Sequence, residues 1–231
     1  SAVGFNEHYS NSLHNEAEVS HFSENDPVLL ANPLSLEMAY LRNSLIPTLL
    51  KAASYNEKRQ NTYFKLFEIG AVHKKDEQSE TNTSETFQLG LVWFGKSQTH
   101  WRKQEDLDLY EAKGDLDKIF THLKLHKIRF ESVKRIGFDI CLQILNRKTA
   151  LGFLGIPTKK IIKHYDIRGS VFVAQLNIDT LIDVVNSFKN KFKVPNPYPF
   201  INRDIAVQVD SAVTSEALFR TIKSRGGELL V

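Results

Sequence analysis

Residues 31–73 read ANPLSLEMAYLRNSLIPTLLKAASYNEKRQNTYFKLFEIGAVH, and this stretch decides the fold. Val28 to Ala31 just before it is a short apolar strand, which Asn32-Pro33 ends because the proline ring restricts its neighbour and removes a donor. Ser44 reads as a helix N-cap, with Pro47 in the first turn where a missing N–H costs little. Leu45, Leu49, Ala52 and Ala53 recur at helical spacing and give one apolar face. The polar run Asn56 to Asn61 ends the helix. Tyr63 to Gly70 is apolar on both alternating faces, Phe64 and Leu66 on one and Phe67 and Ile69 on the other, as in a strand covered from both sides.

Working outward, residues 74–86 (KKDEQSETNTSET) are too polar to bury and read as a solvated loop. FQLGLVWF, Phe87 to Phe94, is a second buried strand, so the pair predicts an antiparallel hairpin. A helix follows over Tyr110 to Leu123, with Leu116, Ile119, Phe120 and Leu123 inward and Gly114 weakening it by about 1 kcal/mol relative to Ala. Strands are predicted at Lys127 to Glu131, Phe138 to Leu145, Ala150 to Ile156 and Val171 to Leu176, and helices at Thr158 to His164 and Ile178 to Ser187. The sum is an α+β domain, a mostly antiparallel sheet flanked by helices, with Leu45, Leu49, Phe64, Phe67 and Trp93 as its expected core. The prolines at 195, 197 and 199 forbid regular structure and mark a boundary. The expected organisation is a core over residues 1–190, a Pro-rich linker over 191–198 and a truncated second domain over 199–231. In that last part FINRDIAVQVD reads as a strand and SEALFRTIKSRGG as a helix. The abrupt start and the apolar ending GGELLV suggest an excised piece of a longer protein.

Composition excludes several classes. With 42% hydrophobic and 25% charged residues over 231 positions, the chain is ordinary for a globular protein. Thirty Lys and Arg against 27 Asp and Glu leave a net charge of +3, too small to imply nucleic acid by itself. The single cysteine, Cys141, excludes an internal disulfide and a cysteine-built zinc site, and fits a reducing cytoplasm. No apolar run reaches transmembrane length and SAVGFNEHYS is not a signal peptide, so no membrane role is expected.

Three motifs carry a resemblance. The first is Asn32-Pro33-Leu34-Ser35, Leu41-Arg42, Ser44-Leu45-Ile46-Pro47, Leu49-Leu50, Asn56, Arg59 and Phe67-Glu68-Ile69-Gly70. The second is Tyr110-Glu111-Ala112-Lys113-Gly114-Asp115-Leu116. The third is Tyr198-Pro199-Phe200 with Arg203-Asp204-Ile205-Ala206. In this order they resemble the beta-subunit family of bacterial phenylalanyl-tRNA synthetase. The resemblance implies a class II aminoacyl-tRNA synthetase-like antiparallel sheet flanked by helices, followed by the truncated start of a ferredoxin-like anticodon-binding domain. It also implies a cytoplasmic alpha2beta2 heterotetramer whose alpha subunit holds the active site and joins phenylalanine to its tRNA with ATP and Mg2+. One departure is LNRKTALGFLGIP at residues 145–157, where many members carry a His-Pro-Gly-Arg turn. The family's metal-ligand and editing regions lie upstream and do not carry over.

The residues give a reason to expect no catalysis. Carboxylate attack on the α-phosphate of ATP builds charge that arginines and metal ions must meet. Class II enzymes, by the resemblance, set one arginine on a strand–loop–strand unit and another on a helix after a Gly-rich strand. Here the first place offers Lys74-Lys75-Asp76, point charges without a bidentate fork, and the second has Thr180. The expectation is no catalytic, ATP-binding or metal residues and no cofactor in this chain, which would support the alpha subunit and tRNA. An independently active class II ligase would need an arginine in the degenerate site, Arg168 or Arg147. A stand-alone tRNA-binding module would use the basic hinge.

Individual residues have competing readings. Arg42, Asn56 and Arg59 are candidates for a subunit interface or the degenerate site, with a surface salt bridge as the alternative. Lys189, Lys191, Lys193 and Arg203 are candidates for tRNA contact, alongside Phe192 and Tyr198, or else line a solvated linker. His122 and His126 have zinc-pair spacing but read better as a solvated helix end, and His8, His14 and His21 read as surface residues. Cys141 reads as a buried thiol. Asp106, Asp108, Glu111, Asp115 and Asp117 read as acids favouring a helix N-terminus rather than as acid–base or Mg2+ groups.

Overall fold

In the computed structural model, residues 3–22, 26–96, 106–187 and 201–227 are described. The chain forms two compact units, residues 1–189 and 190–231. In the first unit the short elements come first: β1 (Asn6–Glu7), β2 (Leu13–His14), α1 (Glu16–Ser20), β3 (Val28–Leu29) and β4 (Tyr40–Leu41). Then follow α2 (Ile46–Glu57), β5 (Tyr63–Lys75), β6 (Thr83–Gly95), α3 (Leu109–His122), β7 (Ile128–Ser132), β8 (Phe138–Asn146), β9 (Thr149–Pro157), α4 (Lys159–His164), β10 (Val171–Asn177) and α5 (Ile178–Ser187). Seven strands make one sheet in the order β1-β5-β6-β10-β9-β8-β7; only β1 runs parallel to its neighbour. The strands β2, β4 and β3 form a second, small sheet. No helix among the described residues is long and apolar enough to cross a membrane.

The near-continuous apolar strands follow from having helices on both faces. Along β6, Val92 and Phe94 join the cluster built with Leu45, Ile46, Leu49 and Leu50 of the α2 segment. Leu91 and Trp93 point the other way, into a cluster with Ala112, Leu116 and Phe120 of α3 and Leu181 of α5. On β10, Val171 and Val173 belong to the first cluster and Phe172, Ala174 and Leu176 to the second. Of the expected core, Leu45, Leu49 and Trp93 are fully enclosed, while Phe64 and Phe67 pack from the margins of opposite clusters. Ile69, expected inside, is half exposed.

Gly90 lets α2 approach the hairpin, and Gly70 makes room for the Arg42 side chain ahead of that helix. A Cβ on Gly90 would stand 2.8 Å from a Leu49 methyl and 2.9 Å from the Leu45 Cβ. A Cβ on Gly70 would occupy the space of the Arg42 guanidinium. The hairpin itself is longer than expected. Pairing continues through His73↔Glu85, Lys74↔Ser84 and Lys75↔Thr83, leaving only residues 76–82 as loop. Backbone ladders need no apolar side chains, so a polar ribbon can extend past the sheet.

The start of α2 also departs from expectation. Ser44 is not its N-cap; Leu45 holds that place, without a side-chain cap. The capping acceptor comes from β10 instead. Gln175 Oε1 accepts from the Leu45 N–H (3.0 Å) and from the Ser44 hydroxyl (2.8 Å), and Ser44 Oγ in turn accepts from the Ile46 N–H (3.2 Å). A buried glutamine 131 residues away thus satisfies a donor that a local cap usually takes.

His14 is not a surface residue: it is 1% exposed, and both ring nitrogens lack hydrogen-bond partners. Burial, then the nearby charges of Lys51 and Arg42, hold its pKa down at about 3. Glu18 Oε2 lies 3.9 Å from Nδ1, too far to offset this, and Glu18 is paired to Lys51. The folded pKa lies below the unfolded value, so this contribution is whole above about pH 6.5 and is lost as the pH falls toward 3. Urea unfolding is expected to show a loss of about 2 kcal/mol between pH 7 and pH 5. His14→Leu should flatten that limb; an unchanged slope in the variant would contradict the assignment.

In the second unit the described residues contain one helix, α6 (Ser215–Gly226), capped by the Thr214 hydroxyl accepting from the Ala217 N–H (3.2 Å). The strand expected in FINRDIAVQVD is absent: residues 201–210 are unpaired, and Ile201, Ile205, Val207 and Val209 are exposed. A strand exists only with a neighbour to take its hydrogen bonds, and no described residue supplies one.

Candidate functional site

Past the N-terminal end of α2, the sheet face is left open. Two adjoining cavities of about 400 and 500 Å³ lie there, sharing Asn43, Val72, Lys134, Arg135, Phe153 and Gln175 as walls. Sheet register builds the floor. Gln175 of β10 pairs with Phe153 of β9, which pairs with Gln143 of β8, so an aromatic ring stands between two amides. One step along, Asn177 of β10 pairs with Gln88 of β6. The connection between β7 and β8 forms the outer wall, and its Arg135 places the guanidinium carbon 4.1 Å from the Phe153 ring centre. Lys74 and Lys134 add cationic lining beside His73, and no carboxylate among the described residues lines either cavity. The Glu85 carboxylate, half exposed, lies 3.8 Å from His73 Nδ1.

Lys74 on the hairpin and Thr180 on the first turn of α5, which the resemblance puts beside a degenerate site, line this groove. Arg168 and Arg147 do not. Arg168 sits at the far end of α2, where the Glu57 carboxylate accepts from the Arg168 and Gly169 N–H groups (3.0 and 2.9 Å). Arg147 is in the β8–β9 turn, its carbonyl accepting from Arg129. The arginine that does reach the groove, Arg135, was not singled out in the sequence. Its position depends on β7, β8 and β9 ordering at one edge of the sheet, which no local pattern encodes. Gln175 left a fainter signal, a polar residue inside an apolar strand.

Arg42 is no surface cation. It is 5% exposed, with Nη1 2.6 Å from Glu68 Oε1 and Nε donating to the Ala71 carbonyl at 2.8 Å. Asn56 closes the end of α2: its Nδ2 donates to the Ala52 carbonyl and its Oδ1 accepts from Asn61, both at 2.9 Å. Arg59 is exposed, its guanidinium carbon 3.3 Å from the ring centre of Tyr55. These three are therefore spread over the interior, the end and the surface of the α2 region and do not converge on the groove. Arg203 is exposed in the second unit. Lys189, Lys191, Lys193, Phe192, Tyr198 and the whole 191–198 linker lie outside the described residues.

The remaining candidates have local explanations. His122 is exposed and within 2.8 Å of the Lys118 carbonyl through Nδ1. Cys141 is buried, and that burial pushes its thiol pKa up against the pull of Arg135. Asp108 caps α3, accepting from the Glu111 N–H at 2.8 Å. Asp115 breaks the helix-terminus reading: it lies inside α3, buried, with Lys65 (2.5 Å), Lys118 (3.0 Å) and Trp93 Nε1 (3.1 Å) around it.

Comparison with known proteins agrees with this architecture. A family model described as the phenylalanyl tRNA synthetase beta chain CLM domain matches residues 1–178. A phenylalanine–tRNA ligase beta subunit from Carboxydothermus hydrogenoformans is 32% identical over 200 residues, covering 85% of this chain and 25% of that protein. One from Staphylococcus aureus is 30% identical over 232 residues, covering 99% of this chain and 29% of that protein. The chain thus spans between a quarter and a third of the length of these relatives. Among solved structures, a pyrrolysyl tRNA synthetase from Desulfitobacterium hafniense superposes with a TM-score of 0.61 at 12% identity, over 81% of this chain and 65% of that one, a likeness of fold alone. With the family match extending from the first strand to the start of α5, the chain belongs to the phenylalanyl-tRNA synthetase beta-chain family.

Proposed function

We propose that this chain is the non-catalytic core of a phenylalanine–tRNA ligase beta subunit. It supports the alpha subunit and tRNA while the holoenzyme, an alpha2beta2 heterotetramer in the cytoplasm, attaches phenylalanine to its tRNA with ATP and Mg2+. The observation that carries this reading is the family match over residues 1–178 on a synthetase-like sheet. The groove agrees with a supporting role. It has Lys74 and Thr180 where the resemblance puts catalytic arginines. Residues 201–227 fit the opening of a ferredoxin-like anticodon-binding domain, whose further strands would pair the apolar 201–210 segment.

An apolar surface suits the scaffolding role. Leu34 and Leu36 are 90% and 86% exposed, and Leu29 and Met38 flank them. Such a cluster is costly to leave in water and marks a surface that another subunit covers. The test is gel filtration of the chain with its cognate alpha subunit. Co-elution is expected, weakened by Leu34→Asp with Leu36→Asp; separate elution of the parent chain would refute the reading.

A further inference from the structure

We infer that one corner of the sheet, where the C-terminal end of α3 meets the turn between β8 and β9, binds the phosphate backbone of an RNA stem. Charge is segregated there. Residues 118–148 hold eight of the 30 Lys and Arg and only two of the 27 Asp and Glu, a local net of +6 in a chain of +3. Two stretches within that region, HLKLHKIR at 122–129 and NRKT at 146–149, contain five cations and no acid. The modest total charge therefore conceals a basic face, the footprint that a polyanion recognises.

The fold brings the two stretches together and fixes them. Ile128 pairs with Asn146, so Lys127 and Arg147 flank the last rung of the β7–β8 ladder. Buried Asn146 donates through Nδ2 to the His126 carbonyl (2.7 Å), and Arg129 donates through Nη2 to the Arg147 carbonyl (2.6 Å). Lys124, Lys127 and Arg147 have φ of 57°, 65° and 57°, a left-handed backbone that costs a non-glycine residue and persists where its surroundings hold it. Arg129, also 3.3 Å from Glu131, is a clasp between the stretches. Lys124, Lys127 and Lys148 are exposed, and none has an acidic partner among the described residues. These three contact charges stand on an already ordered backbone, which lowers the cost of binding.

The make-up of the corner favours nucleic acid over an acidic protein. Protein interfaces need an apolar centre and are poor in lysine. Here lysines dominate, and in the two stretches only Leu123, 37% exposed, is a large apolar side chain open to solvent. Neither stretch contains Phe, Tyr or Trp to stack on bases, so the contact is with phosphates and carries no sequence preference. The choice of RNA rests on the proposed support of tRNA; the siting rests on the corner itself.

Fluorescence anisotropy of a labelled phenylalanine tRNA transcript, titrated with the 231-residue chain at about 50, 100 and 200 mM KCl, tests the assignment. A Kd on the order of 10 µM is expected at about 100 mM KCl. Lys124→Glu, Lys127→Glu and Lys148→Glu together should weaken binding at least roughly tenfold and reduce the slope of log K against log[KCl] by about 2–3. The matched control is Lys159→Glu, Lys160→Glu and Lys163→Glu on α4, which follows the opposite end of β9 and undergoes the same change in net charge. It should alter Kd less than about threefold, because its charges lie away from the corner. Circular dichroism checks folding, and Lys127→Glu with Lys148→Glu serves if the triple variant is unfolded. No binding at about 100 µM chain in 50 mM KCl, equal weakening by the control, a salt slope unchanged in the corner variant, or polyglutamate of matched charge competing as well as unlabelled RNA would each overturn the assignment. Co-elution with the alpha subunit is measured without RNA, so failure of the supporting role is told apart from failure of this surface.

Discussion

Arg42→Met is expected to lower the unfolding free energy of the chain by about 3–5 kcal/mol, the cost of stranding a buried carboxylate. Glu68 is 1% exposed on β5, and its charge is met by the Arg42 guanidinium at 2.6 Å and by the Ser10 hydroxyl at 2.8 Å from both oxygens. Arg42 also ties three segments together. Its Nη1 donates to Ser10 Oγ (3.2 Å), its Nε to the Ala71 carbonyl, its backbone N–H to the Ser12 carbonyl, and its own carbonyl accepts from the His73 N–H. Removing the cation alone leaves Glu68 with one neutral donor. Removing both charges, in Arg42→Met with Glu68→Leu, should recover more than half of the loss, since an apolar pair of similar volume is tolerated in place of an ion pair. Urea denaturation of the two single variants and the double variant measures the coupling. A single-variant cost below about 1 kcal/mol would mean that the pair is solvated and the network misassigned.

That pair explains a motif which the sequence exposes without its meaning. Leu41-Arg42 and Phe67-Glu68-Ile69-Gly70 stand 26 residues apart, and what joins them is one side-chain contact. Arg42 supplies the cation, Glu68 the anion, and Gly70 the space that a Cβ would take from the guanidinium. The elements themselves were legible. The helical period of α2 and the two-sided apolar pattern of β6 and β10 depend on neighbours two to four residues away, which a linear reading sees. The polar residues were misplaced for the converse reason. Arg42, His14 and Asp115 look like surface charges because what buries them comes from elsewhere in the chain: Glu68 for Arg42, the enclosure of His14, and Lys65 and Trp93 for Asp115, whose one near partner is Lys118. The groove shows the same limit. Lys74 and Thr180 could be placed from the order of elements, but Arg135 and Gln175 enter the site through the β10-β9-β8-β7 neighbour order.

Asp115→Ala should be comparably damaging, at about 3 kcal/mol, because three donors lose one acceptor. Lys65 and Lys118 hold one oxygen each, and the Trp93 indole N–H shares the oxygen that Lys65 takes. Trp93 is fully enclosed and its ring meets Phe5 edge-on at 5.2 Å, so an unpartnered indole N–H there cannot turn to water. Burial alone would raise the Asp115 pKa, but the hydrogen bonds from Lys65, Lys118 and Trp93 outweigh it and the net shift is down. For Lys65 burial pulls down, while Asp115 and Tyr63 pull up and prevail. A depressed carboxylate contributes stability that is whole above its unfolded pKa, near 3.9, and is lost as the pH falls through the lower folded value. A raised ammonium contributes below about 10.4 and loses its share as the pH climbs through the folded value. Asp115→Asn separates charge from hydrogen bonding: it retains an acceptor for Trp93 but gives up the attraction for two lysines. It should cost less than Asp115→Ala and remove this group's share of the acid-side loss. The Lys-Gly-Asp-Leu run in α3 thus packs a helix onto the sheet, with Leu116 in the core beside the charge hub. If Asp115→Ala unfolds at the same denaturant concentration as the parent, or Trp93 fluorescence is unaltered by it, that hub does not exist in solution.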